Sequence, residues 1–573
     1  MKKVLFASVC KPIGPSVGDA TSVGYELLHG QVTRAQHIYS PRVVHKQFSL
    51  DYISENLDTP AVVLHYPSKA AFLREIKKGY DVFGLAFVLS THHHMMEMCR
   101  LIREHSPKTK IVLGGYGTVM KDEELTPYCD AICREEGVGF MRRYLGEKEL
   151  PVEDFKHPEI TSRLRLFGIP VTHTAMIFAG LGCPNGCDFC CTSHFFKRRH
   201  IRLLPTGESI FETMAKHQQR DPQMEYTILD EDFLLNQRRA RDFLDLCRQK
   251  ERTFSTFCFA SVKALSQFSY DELLEMGIDG VWVGYEGRES GYDKHHGRDI
   301  DELIQELQDH GITVLSSMIL GIPYQTEEIA RKEFAGLMAD KPALSQFLIY
   351  GPTPGTPFYE SVVSKGLLNE TLASNRAKYY KKCTGFTAMV KHPFMEPHEI
   401  EALQEEFYQQ DFRLLGPSIF RVAGIKLSGY KKYKDHENPL LRKKAVGFRN
   451  KLAKFLAILP VGIFGPKISL KNRLTYAKQF FEILKIVNTW EKLYVFASPI
   501  MMGAAFVSVF LHWMNLMEHP ITRYHYYFGR NSLQKRVQLV GGFWNWFHIQ
   551  KETTHIPLWR KWSWSVLKVF RLF

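Results

Sequence analysis

Short apolar runs alternate with amphipathic stretches along residues 1–150. The apolar runs predict buried strands, and the stretches whose apolar residues recur every three to four positions predict helices. The predicted strands are Val4–Val9, Ala61–Tyr66, Val82–Val88 and Lys110–Leu113. The predicted helices are Lys69–Lys78 and Met95–Glu104. This alternation is typical of parallel βαβ units, so we predict a doubly wound, Rossmann-type domain with a ligand crevice at the carboxyl ends of its strands.

A second alternating run spans residues 165–385. Its predicted strands are Thr174–Ala179, Tyr226–Leu229, Phe257–Phe259, Gly280–Gly284, Thr313–Leu320 and Gln346–Tyr350. Its predicted helices are Glu208–Gln218, Ala240–Arg248, Tyr270–Met276, Ile300–Gln308 and Thr326–Met338. Six βα-like units in series predict a partial TIM-type (β/α)6 barrel, whose active site lies at the carboxyl ends of its strands.

The remaining residues, 386–573, lose this alternation and are predicted to be mostly helical. Within them, Tyr494–Met517 carries no formal charge and is long enough to span a bilayer, which takes about 20 residues. Four residues inside the stretch are unfavourable for a span: Pro499, Gly503, His512 and Asn515. The final segment, Trp559–Phe573, mixes Trp, Phe, Leu, Lys and Arg as an interfacial helix does.

The composition is that of a globular chain. Of 573 residues, 45% are hydrophobic and 24% are charged, which excludes a mainly disordered protein. The chain carries a net charge of +13, and residues 421–573 alone carry +20, from 26 Lys and Arg against 6 Asp and Glu. Seven of the eight Trp also lie in these residues. A region with this positive charge and Trp content attracts two classes of anionic partner, a membrane and a nucleic acid.

We favour the membrane, contacted through residues 490–573, because the long apolar content around 494–517 argues against nucleic acid. A buried core helix beside a solvated charged face explains the same residues equally well. The apolar run after Met1 is too short for a secretory signal, and eleven Cys in so long a chain are no disulfide scaffold. We therefore expect a cytoplasmic protein that contacts the cytoplasmic face of a membrane.

Residues Leu181–Ser193 read LGCPNGCDFCCTS, so Cys183, Cys187 and Cys190 have CxxxCxxC spacing. Three thiolates can bind three irons of a 4Fe–4S cluster and leave the fourth iron open to a substrate or cofactor. The alternative is a zinc site, which needs a fourth ligand such as His194 or Cys191.

The loop resembles the cluster-binding loop of radical S-adenosylmethionine (SAM) enzymes, and four later segments resemble other motifs of that superfamily in order. These segments are LDEDF (Leu229–Phe233) with Asn236, GVWVGYEG (Gly280–Gly287), GITVLSSMILGIPYQTEE (Gly311–Glu328) and TPGTPFYE (Thr353–Glu360). Five ordered matches favour this interpretation over zinc.

The resemblance implies that Cys183, Cys187 and Cys190 hold the cluster and that SAM chelates the open iron. An electron from a carrier such as a ferredoxin or flavodoxin would cleave SAM to methionine and a 5′-deoxyadenosyl radical, which abstracts a substrate hydrogen. Four residues are candidate SAM contacts: Asp230, Asp232, Glu286 and Lys263. Each has an ordinary alternative, since Glu286 could pair with a basic neighbour and the others could be solvated.

Three segments before the barrel resemble the cobalamin-binding domain fused to many radical SAM enzymes. They are GYDVFGLAF (Gly79–Phe87), KIVLGGYGTVM (Lys110–Met120) and YCDAICREEGVGFMRRYLGE (Tyr128–Glu147). Gly114 and Gly115 would let the backbone approach cobalamin, although an ordinary tight turn also explains them. The D-x-H-x-x-G motif is absent. His92–His94 could face the ring or the cobalt, while a surface loop or helix cap explains at least two of them.

If cobalamin binds, the resemblance implies radical methylation of an unactivated carbon. It gives no substrate, and the basic, aromatic-rich C-terminal residues suggest a lipid-like compound beside the alternative of a small molecule. Two alternatives stay open. The chain could be a cobalamin-independent radical SAM enzyme that catalyses a cyclisation or rearrangement, or a non-catalytic, membrane-associated iron–sulfur protein. The barrel motifs argue against the latter, because an electron carrier needs no SAM pocket.

Overall fold

The computed structural model describes the chain in six stretches, residues 2–10, 28–43, 46–167, 169–513, 523–532 and 538–539. The predicted interfacial helix Trp559–Phe573 and the end of the apolar stretch, 514–517, lie outside the described residues.

The N-terminal domain is a parallel sheet covered by helices. Its strands are β1 (Val4–Ser8), β2 (Ala61–His65), β3 (Val82–Ala86), β4 (Lys110–Gly114) and β5 (Ala131–Ile132). Its helices are α1 (Phe48–Glu55), α2 (Lys69–Ile76), α3 (His92–His105), α4 (Asp122–Leu125) and α5 (Gly137–Leu145). The parallel strands lie in the order β2-β1-β3-β4-β5. In this doubly wound order, the ligand crevice lies where β1 and β3 diverge.

The barrel begins with an antiparallel strand and continues with parallel βα units. Its strands are β6 (Thr161–Leu166), β7 (Ile169–Phe178), β8 (Gly180–Leu181), β9 (Ile201–Arg202), β10 (Glu225–Leu229), β11 (Thr256–Phe259), β12 (Ile278–Glu286), β13 (Thr313–Leu320) and β14 (Leu344–Ile349). Its helices are α6 (Cys191–Phe195), α7 (Gly207–Arg220), α8 (Gln237–Gln249), α9 (Val262–Leu265), α10 (Tyr270–Glu275), α11 (Ile300–Asp309) and α12 (Glu327–Ala339). Within the described residues the sheet runs β14-β13-β12-β11-β10-β7-β6, and β7 and β10–β14 are its parallel strands. The α/β fold with a partial barrel is confirmed.

The C-terminal region is mostly helical, as predicted. Its helices, with those that follow β14, are α13 (Pro357–Ser364), α14 (Glu370–Ala373), α15 (Arg376–Lys382), α16 (Pro397–Leu415), α17 (Ser418–Tyr433), α18 (Pro439–Phe455), α19 (Leu459–Phe464), α20 (Leu470–Ile486) and α21 (Ser498–Trp513). Two strands that the sequence analysis did not predict follow, β15 (Arg523–Tyr527) and β16 (Gln538–Leu539). β15 pairs antiparallel with β2, so the chain returns to the edge of the N-terminal sheet.

Buried lysines of α17 and α18 close the amino-terminal end of the barrel. The Lys426 ammonium donates to the backbone carbonyls of Asp279 (2.6 Å) and Gly311 (2.9 Å). The Lys444 ammonium donates to the carbonyl of Gly277 (2.9 Å) and lies 3.0 Å from an Asp279 carboxylate oxygen. These helices therefore cap the end of the barrel opposite the site predicted at the strand carboxyl ends.

A buried carboxylate attaches β15 to the N-terminal domain. Asp51 of α1 lies 2.9 Å from His65 Nε2 and 2.5 Å from His525 Nδ1, and it accepts a hydrogen bond from the Tyr527 hydroxyl (2.8 Å). The backbone N–H of Gln47 donates to His65 Nδ1, which leaves Nε2 to carry the proton that faces Asp51. Hydrogen bonds from His525 and Tyr527 and the close contact with His65 therefore hold the Asp51 carboxylate in this cluster.

Candidate active site

The cysteine loop joins β8 to α6 at the carboxyl end of the barrel. Gly182 has φ +78°, and a Cβ there would lie 2.3 Å from the carbonyl oxygen of Arg199, so a side chain would strain and crowd the turn. Ser193 holds the loop from inside: its hydroxyl donates to the carbonyl of Cys183 (2.7 Å) and accepts from the N–H of Gly186 (3.1 Å). The sequence thus folds locally into a tight loop that presents its cysteines.

The three predicted ligands fit an iron–sulfur cluster better than zinc. Burial raises the pKa of Cys183 to about 12 and that of Cys187 to about 11, so both are protonated at neutral pH unless a bound metal ion supplies positive charge. A single tetrahedral zinc ion needs its ligand atoms within about 4 Å of one another. In the described part of the chain, the group of three or more ligand atoms that lie within 4.8 Å of one another is Asp51, His65 and His525. Cys183, Cys187 and Cys190 are therefore spread more widely than a zinc site requires.

Two tyrosines fix the middle of the cysteine loop. The carboxylate of Asp188 accepts hydrogen bonds from the hydroxyls of Tyr292 (2.8 Å) and Tyr350 (2.7 Å). Phe189 packs edge-on against the same two rings, at 5.4 and 5.8 Å between centroids. The segments that follow β12 and β14 therefore position the loop. Neither tyrosine belongs to a motif, so the sequence analysis missed both.

Glu286 ends β12 beside the loop in a left-handed conformation, with φ +53°. Its buried carboxylate is hydrogen-bonded to the Lys294 ammonium, which lies 5.7 Å from the centre of the Phe189 ring. Burial is the largest single effect and lowers the pKa of Lys294, but the charges of Glu286 and Cys187 and the hydrogen bond to Glu286 together raise the pKa overall. Lys294 therefore stays cationic and lowers the pKa of Cys187 against the opposing effect of burial. The ion pair that was one of two alternatives for Glu286 is present, and its contact with SAM stays a prediction.

Asp230 lies directly after β10 in a buried ion pair. Its carboxylate is 2.5 Å from Arg239 Nη2 and 3.2 Å from His200 Nε2, and the Asp230 and Arg239 side chains are each 1% exposed. Arg239 also donates to the carbonyl of Ala179, which precedes the cysteine loop. Asp230 therefore anchors the base of the loop through Arg239.

Asp232 is likewise committed to protein partners. It accepts from the side-chain amide of Asn185 (3.1 Å), inside the cysteine loop, and from the N–H of Ser261 (3.2 Å). Lys263 lies partly buried in α9, next to that serine, and its role toward SAM stays a prediction.

Glu231 is a carboxyl group that the sequence analysis passed over. Its side chain is exposed to solvent, unlike those of Asp230 and Asp232, because successive side chains of an extended segment point in opposite directions. The protein atoms around the Glu231 carboxyl group desolvate it and raise its pKa to about 7, and the charge of Asp230 adds a smaller increase. The Glu231 charge in turn raises the pKa values of Tyr116 and Cys191. Glu231 therefore lies between the N-terminal domain and the cysteine loop.

The carboxyl edge of the N-terminal sheet faces the same loop. Tyr116, just after β4, packs edge-on against Phe195 of α6, at 5.2 Å between ring centroids. Gly115 has φ +86°, and a Cβ there would lie 2.7 Å from the carbonyl oxygen of Phe87, whereas a Cβ at Gly114 would make only ordinary contact. Close approach of two strand ends therefore explains Gly115, and the contact of Gly114 and Gly115 with cobalamin stays a prediction.

His92–His94 form the first turn of α3, near a second contact between the N-terminal domain and the segment that follows the barrel. His92 is buried, and its ring packs against Tyr380 of α15 at 5.5 Å. Arg376 of the same helix forms an ion pair with Glu124 of α4 at 2.8 Å. These contacts hold the N-terminal sheet edge over the segment that follows the barrel.

A three-cysteine loop lies at the carboxyl end of a partial parallel barrel, which is a suitable place for an iron–sulfur cluster. The profile of the Radical SAM superfamily matches residues 177–333, which include the loop and β10–β13. The chain thus carries a radical SAM domain over residues 177–333. That domain implies a 4Fe–4S cluster and SAM as cofactors, and Cys183, Cys187 and Cys190 are positioned to hold the cluster.

A curated relative from Pyrococcus horikoshii, named as an uncharacterised methyltransferase, is 25% identical over 217 residues. The match covers 37% of this chain and 46% of the relative, so it spans less than half of that protein. Among solved structures, the radical SAM methyltransferase TsrM from Kitasatospora setae, with cobalamin and a [4Fe-4S] cluster bound, aligns with a TM-score of 0.46 and 13% identity. That alignment covers 79% of this chain and 99% of TsrM.

Proposed function

We propose that the chain is a cobalamin-dependent radical SAM enzyme that methylates an unactivated carbon. The observation that carries the proposal is the meeting of two carboxyl edges. Tyr116 at the edge of the N-terminal sheet packs on Phe195, which follows the cysteine loop, and Val119 lies against Gly355 beyond β14. In parallel sheets both edges are ligand-binding positions, so two cofactors bound there would share one crevice.

The residues on each side fit this arrangement. Cys183, Cys187 and Cys190 would hold the cluster, and the cationic Lys294 beside Cys187 would offset its negative charge. On the opposite side, the exposed Gly115 leaves the backbone bare at the strand end, which suits a bulky planar ligand. When bound, the cluster with SAM supplies hydrogen abstraction, and cobalamin supplies a transferable methyl group.

The chain's own groups protect and tune the crevice. The α17 and α18 lysines close the far end of the barrel, which limits water at the radical site. Because the pKa of Glu231 is raised to about 7, its carboxyl group is protonated in a large fraction of molecules at neutral pH. It can therefore hold or accept a proton within the crevice. A ferredoxin or flavodoxin remains the proposed electron donor.

The printed name of the Pyrococcus horikoshii relative, a methyltransferase, supports methyl transfer. Its match covers too little of that protein to define the substrate. The substrate thus stays open between a small molecule and a lipid-like compound.

Anaerobic reconstitution tests the proposal. The wild-type chain is supplied with iron, sulfide and cobalamin, and bound iron, bound cobalt and 5′-deoxyadenosine formed from SAM under a strong reductant are measured. We expect about four irons, stoichiometric cobalt and 5′-deoxyadenosine. Cys187→Ala removes a cluster ligand and should abolish 5′-deoxyadenosine formation. Cys191→Ala changes the neighbouring cysteine, outside the CxxxCxxC set, and should keep both the cluster and the product. Product without cobalt would identify a cobalamin-independent enzyme, and a chain with neither iron nor product would contradict the account of the loop.

A further inference from the structure

Exposed apolar side chains are concentrated on the last helices. Among the described residues, 17 large hydrophobic side chains are exposed, and 12 of them lie between Phe464 and Phe510. Trp490 is 82% exposed, Phe496 76% and Leu470 72%. Scattered exposed hydrophobics are ordinary, but a concentration of this kind marks an interaction surface. We call this set of 12 side chains the apolar face.

Helix α20 has two apolar sides. Its inward side buries Tyr476 and Ile483 in the core that also contains Phe420. At about 100° per residue, three exposed apolar side chains fall within an arc of about 40° on the opposite side: Leu470, Leu474 and Phe481. A water-exposed helix carries polar residues there. The outward side of α20 is therefore suited to an apolar medium.

The helical segment of residues 491–510 contributes seven more side chains of the apolar face. Within Glu491–Phe510 the most apolar 18-residue window has a mean hydropathy of 1.9, and only 28% of that window is buried, so length and composition would allow a membrane span. One side of this helix, with Met501 and Ala505, packs into the protein core, and Ser498 donates to the carbonyl of Leu456. A helix attached to the protein along one side is placed to lie on a bilayer rather than to cross it.

Positive charge borders the apolar face. The same stretch, residues 464–510, has five exposed lysines: Lys467, Lys471, Lys478, Lys485 and Lys492. Three of them follow each other at seven-residue intervals along α20, so they form a row beside the apolar stripe. The acidic residues of the same stretch are Glu482, which pairs with Lys431 at 2.6 Å, and Glu491, which is bonded to Arg449. The uncompensated charge beside the apolar face is therefore positive.

We propose that the apolar face docks on the surface of an anionic lipid bilayer. Its aromatic and aliphatic side chains insert at the boundary between headgroups and acyl chains, and the lysine row contacts the lipid phosphates. The lysine row favours anionic lipid over a second copy of the chain, because two such faces would repel each other. This inference does not depend on the cofactors, so it can fail without affecting the proposed function.

Vesicle cosedimentation of the full-length chain tests this inference. We expect sedimentation with vesicles of phosphatidylcholine and phosphatidylserine, and much weaker sedimentation with phosphatidylcholine alone. Phe481→Glu should weaken binding about tenfold or more. Phe394→Glu is the matched control, because Phe394 is 60% exposed and Phe481 61%, and it should bind like the wild type. Replacing Lys471, Lys478 and Lys485 together by Gln should weaken binding to the anionic vesicles about 100-fold.

Each of three results would overturn the proposal. The wild type could stay in the supernatant with both vesicles at low salt. Phe481→Glu could bind as well as Phe394→Glu, which would place the contact elsewhere in the chain. Light scattering could show a wild-type dimer that Phe481→Glu dissociates, which would make the apolar face a subunit contact. Because both phenylalanines are exposed, both variants should keep the wild-type melting temperature, and circular dichroism checks this.

Discussion

Asp230→Asn separates an anchoring role for this carboxylate from a SAM-binding role. In the wild type the Asp230 carboxylate neutralises a guanidinium that is 1% exposed. The variant leaves Arg239 charged and buried, still bonded to the carbonyls of Ala179, Leu204 and Phe233 but without a counter-charge. Removing one partner of a buried pair costs about 3–5 kcal/mol. For a barrel of about this size, each kcal/mol lowers the melting temperature by about 2–4 °C, so we expect a decrease of about 6–20 °C.

The assay is thermal unfolding of the cofactor-free chain, with Asp245→Asn as the control. Asp245 is exposed on α8, the helix that carries Arg239, and its replacement should change stability by less than about 0.5 kcal/mol. A double variant, Asp230→Asn with Arg239→Met, removes the uncompensated charge and should recover part of the loss. An Asp230→Asn chain that melts like the wild type but no longer binds SAM would refute the anchoring role and show that Asp230 contacts SAM.

Three further predictions concern the end of β4, the closed end of the barrel and the attachment of β15. Gly115→Ala should cost at least about 1–2 kcal/mol because φ is +86°, whereas Gly114→Ala should be neutral or stabilising by up to about 1 kcal/mol; urea unfolding measures both, and equal effects would contradict the strand-end geometry. Burial lowers the pKa of Lys426 to about 7, so the unfolded chain binds more protons above that pH and stability rises with pH toward about 10. Lys426→Met should reduce this rise, and the exposed Lys443→Met should not. Asp51→Asn should speed amide hydrogen exchange in β15, and unchanged exchange would refute its role in attaching that strand.

Periodicity predicted the two α/β regions because their strands are buried on both faces. Thr313–Leu320 was predicted with the bounds that the structure has, since apolar residues flank its two central serines on both sides. β15 reads RYHYY, which has no apolar run. It forms a strand because its backbone pairs with the edge of β2 and its side chains contact Asp51. Such long-range pairing leaves no local signal.

The residues of the candidate site also fall into two groups, those with a local sequence signal and those that only the fold brings together. The CxxxCxxC spacing is local, so the sequence indicated Cys183, Cys187 and Cys190 directly. Lys294 and Tyr350 reach the cysteine loop from later parts of the barrel, and only the fold brings them there. The sequence pattern also indicated acidic motif positions such as Asp230 as SAM contacts. In the structure, Asp230 forms an ion pair with Arg239, and the neighbouring Glu231 is the accessible carboxyl group.

In the proposed function, the cluster and cobalamin share one crevice between the two carboxyl edges. The most direct test is electron paramagnetic resonance of the anaerobically reconstituted chain, with the cluster reduced and cobalamin in its paramagnetic cob(II) form. The account predicts a dipolar interaction between the two spins that is absent from Cys187→Ala. Cobalamin that binds stoichiometrically but gives a spectrum unaffected by the reduced cluster would contradict the shared crevice.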